Sequence, residues 1–160
     1  MLTRLSIRDV VVIERLELQF GPGLCVLTGE TGAGKSILLD ALSLALGRRA
    51  GPRLLRRGAS EAIVTATFEL LTGHAAQSML EIHGIAGEEE VIVRRTLAAD
   101  GRSRAFVNDQ SVTVGFLAKL GAALVEIHGQ NDRLGLLDPG GHRGVLDVSG
   151  NLGDLVFETK

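Results

Sequence analysis

The sequence predicts an α/β fold, with helices packed against a sheet, and three features of the pattern predict it. Apolar and polar residues alternate between residues 2 and 20 and again between 62 and 70, which is typical of half-buried strands. A short apolar run, residues 24–28, precedes a glycine-rich segment and then a run of helix formers, residues 37–46. Further strands and helices follow. This order indicates a mixed sheet with antiparallel strands rather than a simple doubly wound one.

The first two predicted strands carry apolar side chains on one face only. Between them, Val10-Val11-Val12-Ile13 either continues the first strand or forms the connection. Gly21-Pro22-Gly23 predicts a turn into a third strand, residues 24–28. The alternating apolar positions are Leu5, Ile7, Leu16, Leu18 and Phe20.

Residues 29–36 read Gly-Glu-Thr-Gly-Ala-Gly-Lys-Ser, a G-x-x-x-x-G-K-S phosphate loop between a predicted strand and a predicted helix. Its glycines lack a Cβ, so the backbone can bend tightly and present N–H groups to phosphate oxygens. The helix that follows also favours an anion at its N-terminus. A glycine-rich turn without a ligand is the alternative, but the flanking strand and helix favour nucleotide binding. The predicted nucleotide contacts are Gly29, Glu30, Thr31, Gly32, Ala33, Gly34, Lys35, Ser36 and Ile37.

Two side chains of this loop carry most of the predicted chemistry. Lys35 is expected to reach the β and γ phosphates, and the Ser36 hydroxyl is expected to ligate Mg²⁺. Gly47 follows the predicted helix and is expected to end it as the C′ residue.

The rest of the chain alternates strands and helices. Gly47 to Gly58 reads as an arginine-rich loop. Asn108-Asp109 predicts a hairpin turn, and Thr113 or Ser111 is expected near the start of a helix. The other predicted elements are a strand at 62–70, a helix at 73–83, strands beginning at 91 and 105, a helix at 114–120 and a buried strand at 123–127.

Composition bounds the class of protein. With 160 residues, 45% hydrophobic and 3% aromatic, the chain suits one domain, or one lobe of a larger domain, with an aliphatic core. The net charge of −2 gives no overall attraction to nucleic acid. Cys25 is the one cysteine, which excludes an internal disulfide, and its apolar surroundings predict a buried side chain. No apolar run reaches the roughly 18 residues of a membrane span, so we expect a cytoplasmic protein without a membrane partner.

Gln130 follows the predicted strand 123–127 and is a candidate second ligand for Mg²⁺. The additional Gly32 gives the loop the form G-x-x-G-x-G-K-S, which is seen in ATP-binding-cassette (ABC) engines and their chromosome-maintenance relatives. In that superfamily a glutamine at a strand end ligates Mg²⁺ and helps to place the attacking water. An amide oxygen is a suitable hard ligand for this ion. A polar residue that merely ends a strand is the ordinary alternative.

Taken together, these segments resemble those of the RecN family, bacterial ATPases of DNA double-strand-break repair that are related to SMC proteins. The resemblance is carried by the phosphate-loop block, residues 27–42, by the hairpin block 94–107, and by Leu-Val-Glu-Ile-His-Gly-Gln at 124–130. The opening segment, residues 5–9, resembles the family's first strand. The likeness runs in order from residue 1 to about residue 147.

The resemblance implies a P-loop ATPase head of the ABC/SMC type, of which this chain forms the N-terminal lobe. Residues 1–147 would form this lobe, and residues 148–160 a linker or the start of the next segment. ATP and Mg²⁺ are the implied cofactors, with Lys35 and Gln130 as catalytic residues and Ser36 and Gln130 as magnesium ligands. The signature Ser-Gly-Gly motif and the Walker B acidic pair do not occur in the sequence. We therefore expect half a site, which does not hydrolyse ATP competently alone.

The implied partners are a complementary C-terminal lobe and a second head, joined as a homodimer when ATP binds. DNA, as ends or single-stranded tails, would be held by the closing heads in the bacterial cytoplasm, at the nucleoid. Arg56 and Arg57 either reach nucleotide or DNA or belong to a solvated loop. Arg102 and Arg104 either form a DNA-facing stripe or the polar face of a sheet.

Other functions that use a phosphate loop remain as alternatives. A GTPase should show an Asn-Lys-x-Asp motif, which the sequence lacks. The motor subunit of an ABC transporter, a small-molecule kinase or a non-catalytic nucleotide-dependent interaction module would share residues 29–36.

Overall fold

The computed structural model describes residues 1–28, 34–49, 51–86 and 89–127. All helices and strands of these ranges belong to one unit, Met1–Val125. The second unit, Glu126–Lys160, has only its first two residues within them. The predictions for Gln130 and for residues 148–160 therefore lie outside the described residues.

A six-stranded sheet with the order β2-β1-β3-β4-β5-β6 forms the centre of the first unit. Each pair of neighbouring strands is antiparallel. The α/β class and the antiparallel part of the predicted sheet are therefore confirmed, and the described ranges contain no parallel pair. The elements are β1 Leu2–Val10, β2 Ile13–Gln19, α1 Lys35–Ala45, a 3-10 helix Pro52–Leu54, β3 Glu61–Glu69, α2 Ala75–Ile82, β4 Glu90–Ala98, β5 Ser103–Val107, β6 Gln110–Val112 and α3 Val114–Leu124.

The core face of the sheet follows directly from the alternation in the sequence. In β3 every second residue, from Ala62 to Phe68, is fully buried. The strand register then aligns buried residues across four strands, because Leu5 lies opposite Ala66, Ala66 opposite Val93 and Val93 opposite Val107. Helix α1 packs against β3, β1 and β4, and α3 packs against β5. One face of the sheet is thus covered by helices, whereas the other carries the polar side chains.

Arg95 of β4 is an exception on the core side, because its residue is only 4% exposed. Burial lowers the pKa of its guanidinium from the ordinary value. Its Nε and Nη1 atoms have no hydrogen-bond acceptor among the described residues. Such a buried, incompletely paired cation lowers stability.

The predicted turn at Asn108-Asp109 is confirmed, and it joins β5 to β6. Both residues have positive φ, 45° for Asn108 and 60° for Asp109, as a two-residue hairpin of type I′ requires. The Asn108 side chain accepts a hydrogen bond from the Ile92 N–H at 2.8 Å. Local turn chemistry therefore fixes this end of the sheet.

Glycines set how α1 ends and how closely it approaches α3. Gly47 has φ 87°, and the N–H groups of Gly47 and Arg48 donate to the carbonyls of Leu44 and Ser43, which is the Schellman pattern. The predicted C′ role of Gly47 is confirmed. A Cβ on Gly121 of α3 would lie 2.6 Å from the Leu46 carbonyl oxygen, so only glycine fits there. This contact holds the C-terminal end of α1 against α3.

Helix α3 begins where the sequence predicts but ends later. The Thr113 hydroxyl accepts a hydrogen bond from the Phe116 N–H at 3.1 Å, so Thr113 rather than Ser111 is the N-cap. The helix continues to Leu124, and residues 125–127 form no strand. The predicted end at residue 120 and the predicted strand 123–127 are therefore wrong for the structure.

The strand predicted at 24–28, directly before the phosphate loop, is also absent. Leu24 is 94% exposed and Val26 69% exposed, and the predicted burial of Cys25 is likewise wrong because its side chain is exposed. A strand needs a neighbour for its N–H and C=O groups. β1 already has β2 on one side and β3 on the other, and no described strand lies beside residues 24–28.

Candidate nucleotide-binding site

The N-terminus of α1 has the features of an anion site. Its N-cap is Gly34, and no side chain caps the helix or places a carboxylate in its first turn. The first helical hydrogen bond joins the Leu38 N–H to the Gly34 carbonyl at 3.1 Å. N–H groups at the start of a helix that lack a capping side chain, together with the helix dipole, favour a phosphate at this position.

The same helix is anchored at its other end. Ala41, Leu44 and Ala45 are buried, whereas Lys35 and Ser36 in the first turn are exposed. Ile37 is half-buried beside them. The buried half fixes the direction of the helix, so the ammonium and the hydroxyl are presented together on a rigid element.

The structure therefore places four of the predicted site residues, Gly34 to Ile37, at the start of α1. Residues 29–33 and Gln130 lie outside the described residues, so their predicted contacts stay predictions. In the part of the chain that is described, no group of three or more His, Cys, Asp or Glu side chains could hold a metal ion.

An apolar hollow of about 320 Å³ opens beside Lys35. Its walls come from the first two strands, from α1 and from Leu27. Leu27 is 48% exposed and Leu39, on α1, 47% exposed. The lining residues are Leu2, Leu5, Leu18, Phe20, Leu27, Lys35, Leu38, Leu39 and Leu42.

The arginine-rich loop after α1 is tied to the β1–β2 turn. The Arg56 guanidinium lies 2.9 Å from Glu14 Oε2 and 3.5 Å from Asp9 Oδ1. The Val11 N–H also donates to the Leu54 carbonyl at 2.9 Å. Arg56 therefore has a structural role here, whereas Arg57 is exposed.

Arg102 and Arg104 differ in what their guanidinium groups contact. Arg102 precedes β5, and its guanidinium binds the Asp100 carboxylate, with Nε 2.6 Å from Oδ2. The hydrogen bonds from Arg102 hold the pKa of Asp100 below its ordinary value. Arg104 lies within β5 on the outer face of the sheet and lines a groove with Arg8, Arg15 and Arg94. Sequence analysis did not single out these three, although their alternation with buried residues places them on the polar face.

Comparison with known proteins identifies the family. A family model described as AAA domain matches residues 4–133. DNA repair protein RecN of Rickettsia conorii is 40% identical over 154 residues, 96% of this chain and 28% of the relative. RecN of Vibrio cholerae is 38% identical over 160 residues, 100% of this chain and 29% of the relative. RecN of Bacillus subtilis is 40% identical over 148 residues, 92% of this chain and 26% of the relative. The chain thus spans less than a third of each of these relatives.

Solved structures of SMC and RecF proteins share the fold. An SMC ATPase structure, from work on ATP-driven dimerization and DNA stimulated activation, matches with a TM-score of 0.64 and 23% identity. The match covers 98% of this chain and 97% of the chain in that structure. An SmcHead bound to the C-winged helix domain of ScpA matches with a TM-score of 0.61 and 25% identity, over 81% of this chain and 42% of that one. A structure of RecF with ATP matches with a TM-score of 0.54 and 16% identity, over 70% of this chain and 27% of that one.

Neither the relatives nor the structures above are transporters, and no helix in the described ranges is long and apolar enough to cross a membrane. The fold and the matched residues agree with the resemblance carried by the phosphate-loop sequence. The chain belongs to the AAA domain family, and it is of the RecN type, with the fold of an SMC-like ATPase head.

Proposed function

We propose that this chain is the ATP-binding lobe of an SMC-like ATPase that acts in DNA double-strand-break repair and recombination. In this proposal, binding of ATP drives two heads together, and closure of the heads controls how DNA ends are held. The observation that carries it is the start of α1, where Lys35 and Ser36 stand exposed on a helix N-terminus without a capping side chain. The RecN relatives support the repair role.

Each residue of the loop has a defined part in the proposed site. Backbone N–H groups of residues 29–34 and of the first turn of α1 bind phosphate oxygens, and Lys35 neutralises charge on the β and γ phosphates. Mg²⁺, when bound, withdraws charge from the β and γ phosphate oxygens. Ser36 and Gln130 are the residues that would hold it.

The remaining catalytic groups are proposed to come from a complementary C-terminal lobe and a second head. The apolar hollow beside Lys35 and the exposed segment 24–28 are the surfaces that such a lobe would cover, because exposed apolar surface of this kind marks an interaction site. Residues 1–147 are proposed to be the lobe, in a cytoplasmic, nucleoid-associated bacterial protein.

Calorimetric titration with ATP and Mg²⁺ tests the nucleotide site. The protein should be the chain extended to the length of its RecN relatives, as wild type and as Lys35→Ala. Loss of a charged hydrogen-bond donor to phosphate removes about 1.5 to 3 kcal/mol, so we expect the Kd for ATP to rise about 10- to 150-fold. Lys119→Ala is the matched control, because Lys119 is another exposed lysine on a helix.

Two results would contradict the proposal. If the extended wild-type protein releases no heat with ATP and Mg²⁺, the nucleotide site is absent. If the 160-residue chain alone turns over ATP rapidly, and Lys35→Ala abolishes this turnover, the divided catalytic site is wrong.

A further inference from the structure

The outer face of the sheet contains an open groove of about 480 Å³ that is rich in arginine. It lies on the side of the sheet opposite the buried row of Leu5, Ala66 and Val93. The four arginines come from four different strands: Arg15 from β2, Arg8 from β1, Arg94 from β4 and Arg104 from β5. The other lining residues are Ser6, Glu61, Ile63, Thr65, Thr96 and Phe106.

The positive charge of this groove is only partly neutralised within the chain. Glu61 is the one carboxylate among its lining residues. Arg8 has Asp9 at 3.6 Å and Arg94 has Asp109 at 3.0 Å, but Arg15 and Arg104 form no ion pair with any residue of the described ranges. Since the whole chain has a net charge of −2, the groove is a local concentration of cations.

The strand register places like charges side by side. Arg8 lies directly opposite Arg15 on the neighbouring strand, an arrangement that costs stability. Arg94 is held firmly, with its guanidinium carbon 4.6 Å from the centre of the Phe106 ring. Its Nε atom is buried and has no acceptor in the described part of the chain. Guanidinium groups so arranged suit an external anion with several charges.

The spacing of the arginines distinguishes a chain of phosphates from a single small anion. Arg8, Ile63, Thr96 and Arg104 follow one another across adjacent strands. Strands lie about 4.8 Å apart, so Arg8 and Arg104 are separated by about 14 Å at the backbone. DNA carries one charge per about 3.4 Å of axis on each strand, and a segment of this length therefore offers several phosphates.

We infer that this arginine groove binds the phosphodiester backbone of DNA, without reading its sequence. Ser6 and Thr65, which are half-buried, add hydroxyl groups, and phosphate contacts of this type fix position rather than sequence. The inference deepens the proposed repair function and rests on it. It assigns the DNA contact to the sheet face opposite α1, separate from the residues that hold ATP.

Fluorescence anisotropy with labelled DNA tests the groove, using the chain extended to the length of its RecN relatives. The variant Arg15→Gln/Arg104→Gln removes the two arginines without an internal ion pair. We expect the Kd for DNA to rise about tenfold near 0.1 M salt, independently of sequence. The slope of log K against log salt should fall in magnitude by about 1.8 for a duplex or about 1.4 for a single strand, for two lost contacts.

Arg102→Gln is the matched control, because Arg102 is an exposed arginine two residues from Arg104 whose guanidinium is bound to Asp100. Its Kd for DNA should stay within about twofold of wild type. Duplex and single-stranded probes in parallel identify which form of DNA uses the groove. Thermal unfolding of each variant checks that the sheet is intact. A second variant, Arg15→Glu, places a carboxylate opposite Arg8 and should therefore weaken DNA binding further without unfolding the chain.

An unchanged salt slope in Arg15→Gln/Arg104→Gln, or an equal loss of affinity in Arg102→Gln, would overturn the inference. Calorimetry with ATP and Mg²⁺ on the same variants separates this failure from that of the proposed function. The groove variants should bind ATP as wild type does. If wild type binds ATP but its DNA affinity does not depend on the groove arginines, only the groove assignment is wrong.

Discussion

The six-stranded sheet and two segments that the sequence predicts as strands, residues 24–28 and 123–127, differ in whether they pair with a neighbouring strand. Each strand of the sheet pairs with another described strand, across a turn, across α2 or, for β1 and β3, across β2 and α1, and β3, with Phe68 fully buried, lies at its centre. Residues 24–28 are mostly apolar and residues 125–127 read Val-Glu-Ile, but neither segment forms a strand. Leu24 is 94% exposed.

This difference teaches that an apolar run indicates burial but does not supply the partner that buries it. Backbone N–H and C=O groups need a neighbouring strand, and every strand next to the centre of the sheet already has two. Among the described residues, no strand pairs with residues 24–28. In the proposed head, the complementary lobe supplies that partner.

Paired truncations give the largest expected contrast between the two regions. Phe68→Ala removes a fully buried ring from β3 and should lower the free energy of unfolding by about 3 to 5 kcal/mol. Leu24→Ala should change it by less than about 0.5 kcal/mol, since that side chain is exposed. Urea denaturation of the 160-residue chain measures both. An equal loss in the two variants would show that residues 24–28 are already buried in this chain.

Cys25 gives a chemical measure of the same comparison. Its thiol is exposed, so a maleimide should react with it in this chain at the rate of a model thiol. In the chain extended to the length of its relatives, coverage that opens at a cost of about 3 kcal/mol should slow labelling about 150-fold. Labelling in urea controls for intrinsic reactivity. Equal rates in the two native proteins would mean that the rest of the protein leaves this segment open.

The sequence predicted those parts of the fold that depend on local chemistry. Asn108 and Asp109 adopt the positive φ of a hairpin turn, and Gly47 ends α1 with a Schellman pattern, because both signals lie within a few residues. The strands at 24–28 and 123–127, and the burial of Cys25, depend on distant partners, so the same sequence reasoning gave the wrong state for this chain.

Among the candidate functional residues, too, those defined by a local motif were predicted and those defined by distant pairing were not. The phosphate-loop pattern located Lys35 and Ser36 at a helix start because each role follows from one short motif. The arginine groove was not predicted, because Arg15 and Arg104 come together only through the register of five adjacent strands. The signal for this groove in the sequence is weaker, because it consists only of arginines that alternate with buried residues. The sequence pattern does not show which strands are neighbours.

Replacing Gly121 tests the close contact between α3 and the C-terminal end of α1. In Gly121→Ala the new Cβ would lie 2.6 Å from the Leu46 carbonyl oxygen, so the end of α1 must move. Overpacking of this kind should lower the free energy of unfolding by about 1 to 3 kcal/mol. Gly115→Ala is the matched control, because a Cβ at that position of α3 meets nothing within 4 Å. Equal unfolding curves for Gly121→Ala and wild type would contradict the close packing of α1 on α3.

The N-cap of α3 should give the smallest effect, and it separates the two ends of one helix. Thr113→Ala removes the hydroxyl that accepts from the Phe116 N–H, which should lower the free energy of unfolding by about 1 kcal/mol. Thr113→Ser, which keeps the hydroxyl, should retain most of the stability. Because the start of α3 is fixed by this local bond, the loss should be the same in the 160-residue chain and in the extended protein. The end of α3 should behave differently: hydrogen exchange at residues 125–127 should slow in the extended protein if the proposed complementary lobe packs on this segment. A loss at Thr113 that changed with chain length would mean that the helix start, too, is set by distant contacts.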